Sequence, residues 1–162
     1  ASGNRYVVDL PAHACSCPDA SIRGETCKHL RRVAIEITRH EVPPPGKRAG
    51  QCAACGHDRF VPEDGPDLCD DCRFEPGDIA RDRETGDRVV VVEATDAPAD
   101  AWVVEGTDTT VADYETNAGY PPDDPVVRVV YPFSGDRRRF ADLKRYAFPH
   151  SRLAATDEQY VV

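Results

Sequence analysis

The chain has 162 residues, 40% of them apolar, 30% charged and only 7% aromatic. That allows one ordinary domain or two to three very small ones, and excludes a single large, well-filled interior. No apolar run approaches the roughly 18 residues needed to cross a bilayer, and the start Ala1-Ser2-Gly3-Asn4-Arg5 lacks the apolar core of a signal peptide. A membrane protein and a secreted precursor are therefore both set aside; Ala1 suits either removal of an initiator Met or a trimmed N-terminus. The net charge of −9 is built from 19 Asp, 10 Glu, 17 Arg and 3 Lys, with no Met. An Asp-rich, Lys-poor surface stays hydrated in very high salt, so the expected compartment is a cytoplasm of high ionic strength; the codon bias of a GC-rich genome is the alternative. At molar salt the Debye length is about 3 Å. A net negative charge then leaves nucleic acid open as a partner, provided a local cationic patch makes close contacts.

In chain order, Tyr6-Val7-Val8-Asp9-Leu10 reads as a strand and Ala14-Cys15-Ser16-Cys17 as a second. Nine residues separate Cys17 from Cys27-Lys28-His29, and a helix follows. The chain has seven cysteines, Cys15, Cys17, Cys27, Cys52, Cys55, Cys69 and Cys72. An odd count without an export signal argues for metal rather than disulfides. Cys15, Cys17 and Cys27 need a fourth ligand, and His29 completes three thiolates and one imidazole. Leu30, Val33, Ala34 and Ile37 recur at helical spacing as a face to pack on the hairpin. At 100° per residue, Lys28, Arg32 and Arg39 lie within about 40° of one another on the opposite face, with Arg31 beside them.

The pattern CxCx9CxH, with Pro18-Asp19 after the second Cys and Leu30 after the His, resembles the SWIM zinc-finger family over about residues 5–40. The resemblance implies a zinc-stabilised ββα module that binds DNA or protein, as in transposases, helicase-like ATPases and recombination mediators. Many members carry more chain before the first strand, which places this N-terminus near an expected truncation. The composition adds a resemblance to haloarchaeal or haloarchaeal-virus proteins.

Charge is unevenly spread. Residues 1–50 carry 8 basic and 5 acidic groups (+3), residues 51–73 carry 2 and 6 (−4), and residues 74–162 carry 10 and 18 (−8). The cations of the first segment, Lys28, Arg31, Arg32 and Arg39 with Lys47 and Arg48 beyond the helix, are candidates for phosphate contacts that position rather than read bases. A solvated helix face is the alternative. Pro43-Pro44-Pro45-Gly46 ends the helix as a stiff spacer. Next, Cys52-Ala53-Ala54-Cys55 and Cys69-Asp70-Asp71-Cys72, thirteen residues apart, form two CxxC hooks around one tetrahedral structural zinc. Gly56 supplies the knuckle turn, and His57 is a minor alternative ligand.

Beyond Cys72 the chain reads as short strands: Asp78–Asp82, a turn at Glu84–Asp87, then Arg88–Glu93, Ala101–Glu105, Val126–Tyr131 and a last edge segment at Ala147–Pro149. Many short strands with polar, Pro-rich turns suggest a small SH3-like barrel. Trp102 is expected in its core. Arg137-Arg138-Arg139 and Lys144-Arg145 either touch nucleic acid or balance neighbouring Asp residues.

The expected architecture is α+β in small units: residues 1–42 a zinc-bound ββα module, 43–50 a Pro-rich linker, 51–74 a four-cysteine ribbon or knuckle, and 75–162 a mostly-β barrel. Two structural Zn²⁺ are the expected cofactors. No open metal position, catalytic triad or phosphate loop is visible; His13, His40, His57 and His150 are scattered. A non-enzyme without a small-molecule substrate is expected. Its partner is nucleic acid, DNA before RNA, or else a protein, within a viral particle or a replication or recombination complex.

Overall fold

The computed structural model describes residues 4–24, 26–133 and 139–159, with side chains up to 157. Arg137 and Arg138 lie outside the described residues. Two small metal-type clusters precede a five-stranded antiparallel sheet, and among the described residues no helix is long and apolar enough to cross a membrane.

The first unit is a two-residue hairpin, β1 (Val8–Asp9) against β2 (Ala14–Cys15), followed by two helices. The sequence reading missed the first helix, α1 (Pro18–Arg23). Pro18 sits at its N-terminus, where the missing N–H costs nothing, and Gly24 ends it at φ 66°. Helix α2 (Lys28–Thr38) falls where expected. Its apolar face is shallower than the spacing suggested: Leu30 is buried, Val33 and Ile37 are half-buried and Ala34 is exposed. A two-residue-per-strand hairpin offers little surface to cover them.

The Pro-rich linker is shorter than residues 43–50. Lys47–Gln51 is already a strand, β3, paired with β4 (Asp58–Pro62) in register Arg48↔Val61 and Gly50↔Arg59. Val61 is fully buried on this hairpin, and a Cβ at Gly50 would come within 2.8 Å of its Cγ2. Residues 39–46 connect α2 to β3.

The C-terminal sheet contains β5 (Asp78–Asp82), β6 (Arg88–Pro98), β7 (Pro125–Val130), β8 (Tyr146–Pro149) and β9 (Leu153–Gln159), in the order β8-β7-β6-β5-β9. The C-terminal region is mostly β as expected, but its sheet is not closed, since the edge strands β8 and β9 share no register among the described residues, and the small SH3-like barrel is not shown. Only a three-residue helical turn, His150–Arg152, joins these opposite edges, so the sheet must bend sharply to bring them within reach. Register shifts in β6 between Val91 and Glu93 and between Ala94 and Pro98 supply part of that bend. Ala101–Glu105 is not a full strand; Val103 makes an isolated bridge to Thr110 and is 55% exposed. Turn-forming residues on both sides leave it no neighbour to pair along. Trp102 is half-buried, as expected, against Ala99, Val111 and Val126. The main core joins Phe74, Val89, Val91, Val127, Val129, Phe148 and Leu153.

One buried ion pair ties the end of β5 to the turn that leads into its neighbour β9. Asp82, fully buried at the end of β5, receives Arg152 Nε on Oδ1 and Nη2 on Oδ2, both at 2.9 Å. Arg152 Nη1 also donates to Asn117 Oδ1 (2.7 Å) and Thr116 Oγ1 (2.9 Å), and its guanidinium lies 3.9 Å from the Phe148 ring centroid. Tyr131 Oη donates to Asp82 Oδ2 at 2.6 Å. Burial opposes ionisation of Asp82, but Arg152, Tyr131 and the Glu84 N–H outweigh it and hold the carboxyl at about 2. Bidentate geometry with every lone pair used makes the buried pair tolerable.

Removing either partner leaves an uncompensated buried charge. Arg152→Leu or Asp82→Asn is expected to destabilise the sheet by about 3–5 kcal/mol, read by urea unfolding followed through Trp102 in saturating zinc. Because the folded pKa lies below the ordinary carboxylate value, the stabilisation is complete above about pH 4. It is expected to disappear as pH falls towards about 2, and the wild-type and Asp82→Asn curves should converge there.

Candidate metal centres

The two cysteine groups expected from spacing are brought together. In the first, Cys15 ends β2, Cys17 caps α1, Cys27 caps α2 and His29 stands in the first turn of α2. Cys15 Sγ is 3.9 Å from His29 Nδ1, and the four donor atoms all lie within 4.8 Å of one another. The Tyr6 ring packs on the His29 imidazole at 4.8 Å between centroids. In the second, Cys52 and Cys55 form the turn after β3, Cys69 precedes a short helical turn, Asp70–Cys72, and Cys72 ends it. Their sulfurs also lie within 4.8 Å of one another. Gly56 makes the knuckle at φ 70°, with its N–H on the Cys52 carbonyl at 2.8 Å. His57 is exposed and outside the group.

Both sets fit a tetrahedral ion. Bonds of about 2.3 Å to sulfur and about 2.0 Å to nitrogen put ligand atoms roughly 3.5–3.8 Å apart, a small contraction from the separations seen. The electrostatics also fit. The N–H groups of Leu30 and His29, at the positive end of α2, bring the Cys27 thiol down to about 6. Burial opposes ionisation of Cys52, yet the N–H groups of Cys69, Cys55 and Ala54 hold it at about 6 as well. Burial pushes Cys15, Cys69 and Cys72 up. Each group therefore starts from one favoured thiolate, and a divalent cation drives off the remaining protons. Three thiolates with an imidazole, and four thiolates, are donor sets suited to zinc.

Residues 6–37 match the family model of the SWIM zinc finger. The match spans all four donors of the first group, so this segment is similar to a SWIM zinc finger. Neither the curated proteins nor the solved structures contain a match to the chain.

The cations predicted around the SWIM helix separate into two sets. Lys28, Arg31 and Arg39 are exposed and make no ion pair among the described residues. Arg32 is engaged by Glu36 one turn on, at 2.5 Å, and that bond raises its pKa. Lys47 pairs with Asp70 and Arg48 with Asp67, both pointing back onto the four-cysteine unit. Sequence spacing could not reveal these last two partners, which lie 19 to 23 residues away.

The second cluster is also attached to the sheet, a connection no motif announced. His150 Nε2 donates to the Cys72 carbonyl at 2.7 Å, and its ring packs on Phe74 at 4.9 Å. Phe74, two residues past a ligand, belongs to the sheet's main core. Arg73 pairs with Asp96 at 2.6 Å. Burial keeps His150 below the usual histidine value, favouring the neutral ring.

Native mass spectrometry is expected to find two zinc ions per chain, one in Cys27→Ser or Cys52→Ser. A chelator, or acid that protonates the thiolates, is expected to remove both. Loss of the second ion alone, in Cys52→Ser, should raise amide exchange at Phe74 and in the turn His150–Arg152. Loss of the first ion alone, in Cys27→Ser, should leave those amides protected.

Proposed function

We propose that the chain is a non-enzymatic, zinc-binding accessory protein whose SWIM segment binds nucleic acid, DNA in preference to RNA, through the outer face of α2. The observation that carries this reading is the exposure of Lys28 and Arg31 on α2 and of Arg39 at its C-cap, free of acidic partners among the described residues, in an otherwise acidic chain. Ile35, 46% exposed, lies within the same face at 100° per residue. Three cations suit phosphate contacts that orient the module rather than read sequence. Both donor groups have four members, which matches closed structural sites better than an open catalytic one. The acid-rich surface supports work in a cytoplasm of high ionic strength, as in halophilic archaea or their viruses, where only close cation–phosphate contacts survive screening.

A second reading has an observation of its own. Val7 and Ile22 on the SWIM unit are 75% and 81% exposed, which favours a protein partner, within a viral particle or a replication or recombination complex, with zinc serving only to fold the unit.

The experiment is anisotropy on a duplex of about 20 base pairs across a potassium chloride series. Lys28→Glu/Arg31→Glu/Arg39→Glu is expected to weaken binding more than tenfold and to lower the log–log salt slope by about 2–3. Arg32→Gln, whose wild-type side chain is already paired, is expected to change little. Equal binding by the triple variant, at equal zinc content, would favour the protein-partner reading.

A further inference from the structure

Helix α2 ends in a conformation that its sequence does not favour. The His40 N–H bonds the Ile37 carbonyl and the Glu41 N–H reaches back to the Glu36 carbonyl, both at 2.9 Å. That closing pattern places its turn residue in the left-handed region, where glycine is usual. Here the residue is His40, at φ 58°. A side chain held there is strained, and this one reaches across to the next unit. Its ring faces Phe60 of β4, with 6.4 Å between centroids and 27° between planes. Both rings border one open groove of about 810 Å³, together with Ala49, Gln51, Asp58 and Asp71. The hairpin register explains the grouping. Ala49 stands opposite Phe60 and Gln51 opposite Asp58, so alternation puts these four on one face. The fully buried Val61 belongs to the other face. Gly50 and Arg59 also border the groove, but they pair with each other on that opposite face. The groove face is left open: Ala49, Gln51 and Asp58 are exposed and Phe60 is half-buried. Asp58 and Asp71 make no ion pair among the described residues, whereas the neighbouring Asp67 and Asp70 each hold a cation.

We propose that this groove is a docking site for an arginine side chain of a protein partner, with the guanidinium stacked on Phe60 beside His40 and its N–H groups donated to Asp58 and Asp71. The groove combines a π-face with two uncompensated carboxylates, and a guanidinium is the side chain that uses both. It is planar and weakly hydrated, so a face lies flat on a ring while its edge donates in parallel to carboxylate oxygens. An ammonium brings the charge without the flat face. An apolar side chain would leave both carboxylates desolvated and unpaired. A nucleobase would stack as well, but its phosphate would have to approach a groove edged by two negative charges. Stacking and close ion contact are also the parts of an interaction that survive at molar salt, where distant charges no longer attract. The strained His40 has a use in this arrangement: glycine would relax the helix end but remove one wall of the groove. The site uses none of Lys28, Arg31 or Arg39, so it stands or falls apart from the nucleic-acid reading of α2.

The test titrates the full, zinc-loaded chain with the capped peptide Gly-Gly-Arg-Gly-Gly, its lysine and citrulline counterparts, and guanosine monophosphate, followed by amide and aromatic NMR shifts. The arginine peptide is expected to shift Ala49, Gln51 and the Phe60 ring saturably. Lysine should bind at least about threefold more weakly, and citrulline, which keeps the shape without the charge, at least about tenfold. Phe60→Leu, which keeps apolar bulk without the ring, is expected to lose about threefold or more. Asp58→Asn, an exposed change that leaves the fold intact, is expected to do the same. His40→Gly is expected to raise the unfolding temperature of the N-terminal half and yet to weaken binding, a combination that a merely structural histidine would not give. Glu105→Gln/Asp108→Asn, which removes acid elsewhere, should leave binding unchanged. Absence of saturable shifts at the groove, equal binding of citrulline, unchanged affinity in Phe60→Leu or Asp58→Asn, or an equal loss in Glu105→Gln/Asp108→Asn would overturn the proposal. Tighter binding of guanosine monophosphate at the same amides would overturn it in favour of a nucleobase.

Discussion

Thiolate convergence is the constraint on which the N-terminal half depends. In the SWIM unit the buried apolar cluster is Cys15, Cys17, Cys27 and Leu30, and in the next unit it is Cys52, Leu68 and Cys69. The ligands are themselves the core. One leucine buried in each unit contributes about 1.5–3 kcal/mol, against about 10–16 kcal/mol for a structural zinc site. The ion decides whether these backbones are ordered. Without it Cys15, Cys69 and Cys72, pushed up by burial, would stay protonated, and the sulfurs would hold nothing together.

From that constraint the remaining geometry follows outward. Fixing Cys27 and His29 fixes the start of α2, and a helix held by its first turn must project its other faces to solvent. That is why Lys28, Arg31 and Ile35 stand free, while Arg32 finds only a local partner in Glu36. Fixing Cys72 has the opposite effect. The chain leaves that ligand directly into the sheet through Arg73 and Phe74, and His150 reaches back to its carbonyl. One centre orients an exposed helix, and the other is anchored to a core.

What was legible in the sequence was what local chemistry dictates. The eight donors, α2, β5, and the Gly56 knuckle are set by spacing and by residues whose options are few. The turn at Glu84–Asp87 was readable for the same reason, with Gly86 at φ 77°. Helix α1 was missed because six residues give too short a period to detect, although Pro18 after Cys17 marks its start. Strand β3 was hidden behind three prolines, and its residues Lys-Arg-Ala-Gly-Gln carry no strand signature; pairing with β4 creates it. β9 was missed for a related reason, since Leu153–Gln159 is defined by its partner β5. The Asp82–Arg152 pair joins residues 70 apart, and nothing near either one announces the other. The barrel was an inference from strand count, and count does not tell whether edges meet.

The placement of β9 also bears on the order in which the chain acquires structure as it is made. β5 is the first strand of its sheet to emerge and β9 the last, yet they are neighbours. Until residues 152–159 have been synthesised, one edge of β5 has no partner and Asp82 has no arginine. The two cysteine clusters are complete by residue 72 and can close on metal well before then. Synthesis thus delivers a nascent chain with finished fingers and an unfinished sheet, and Phe74, next to the second finger, is the first sheet-core residue to be held in place while the others arrive.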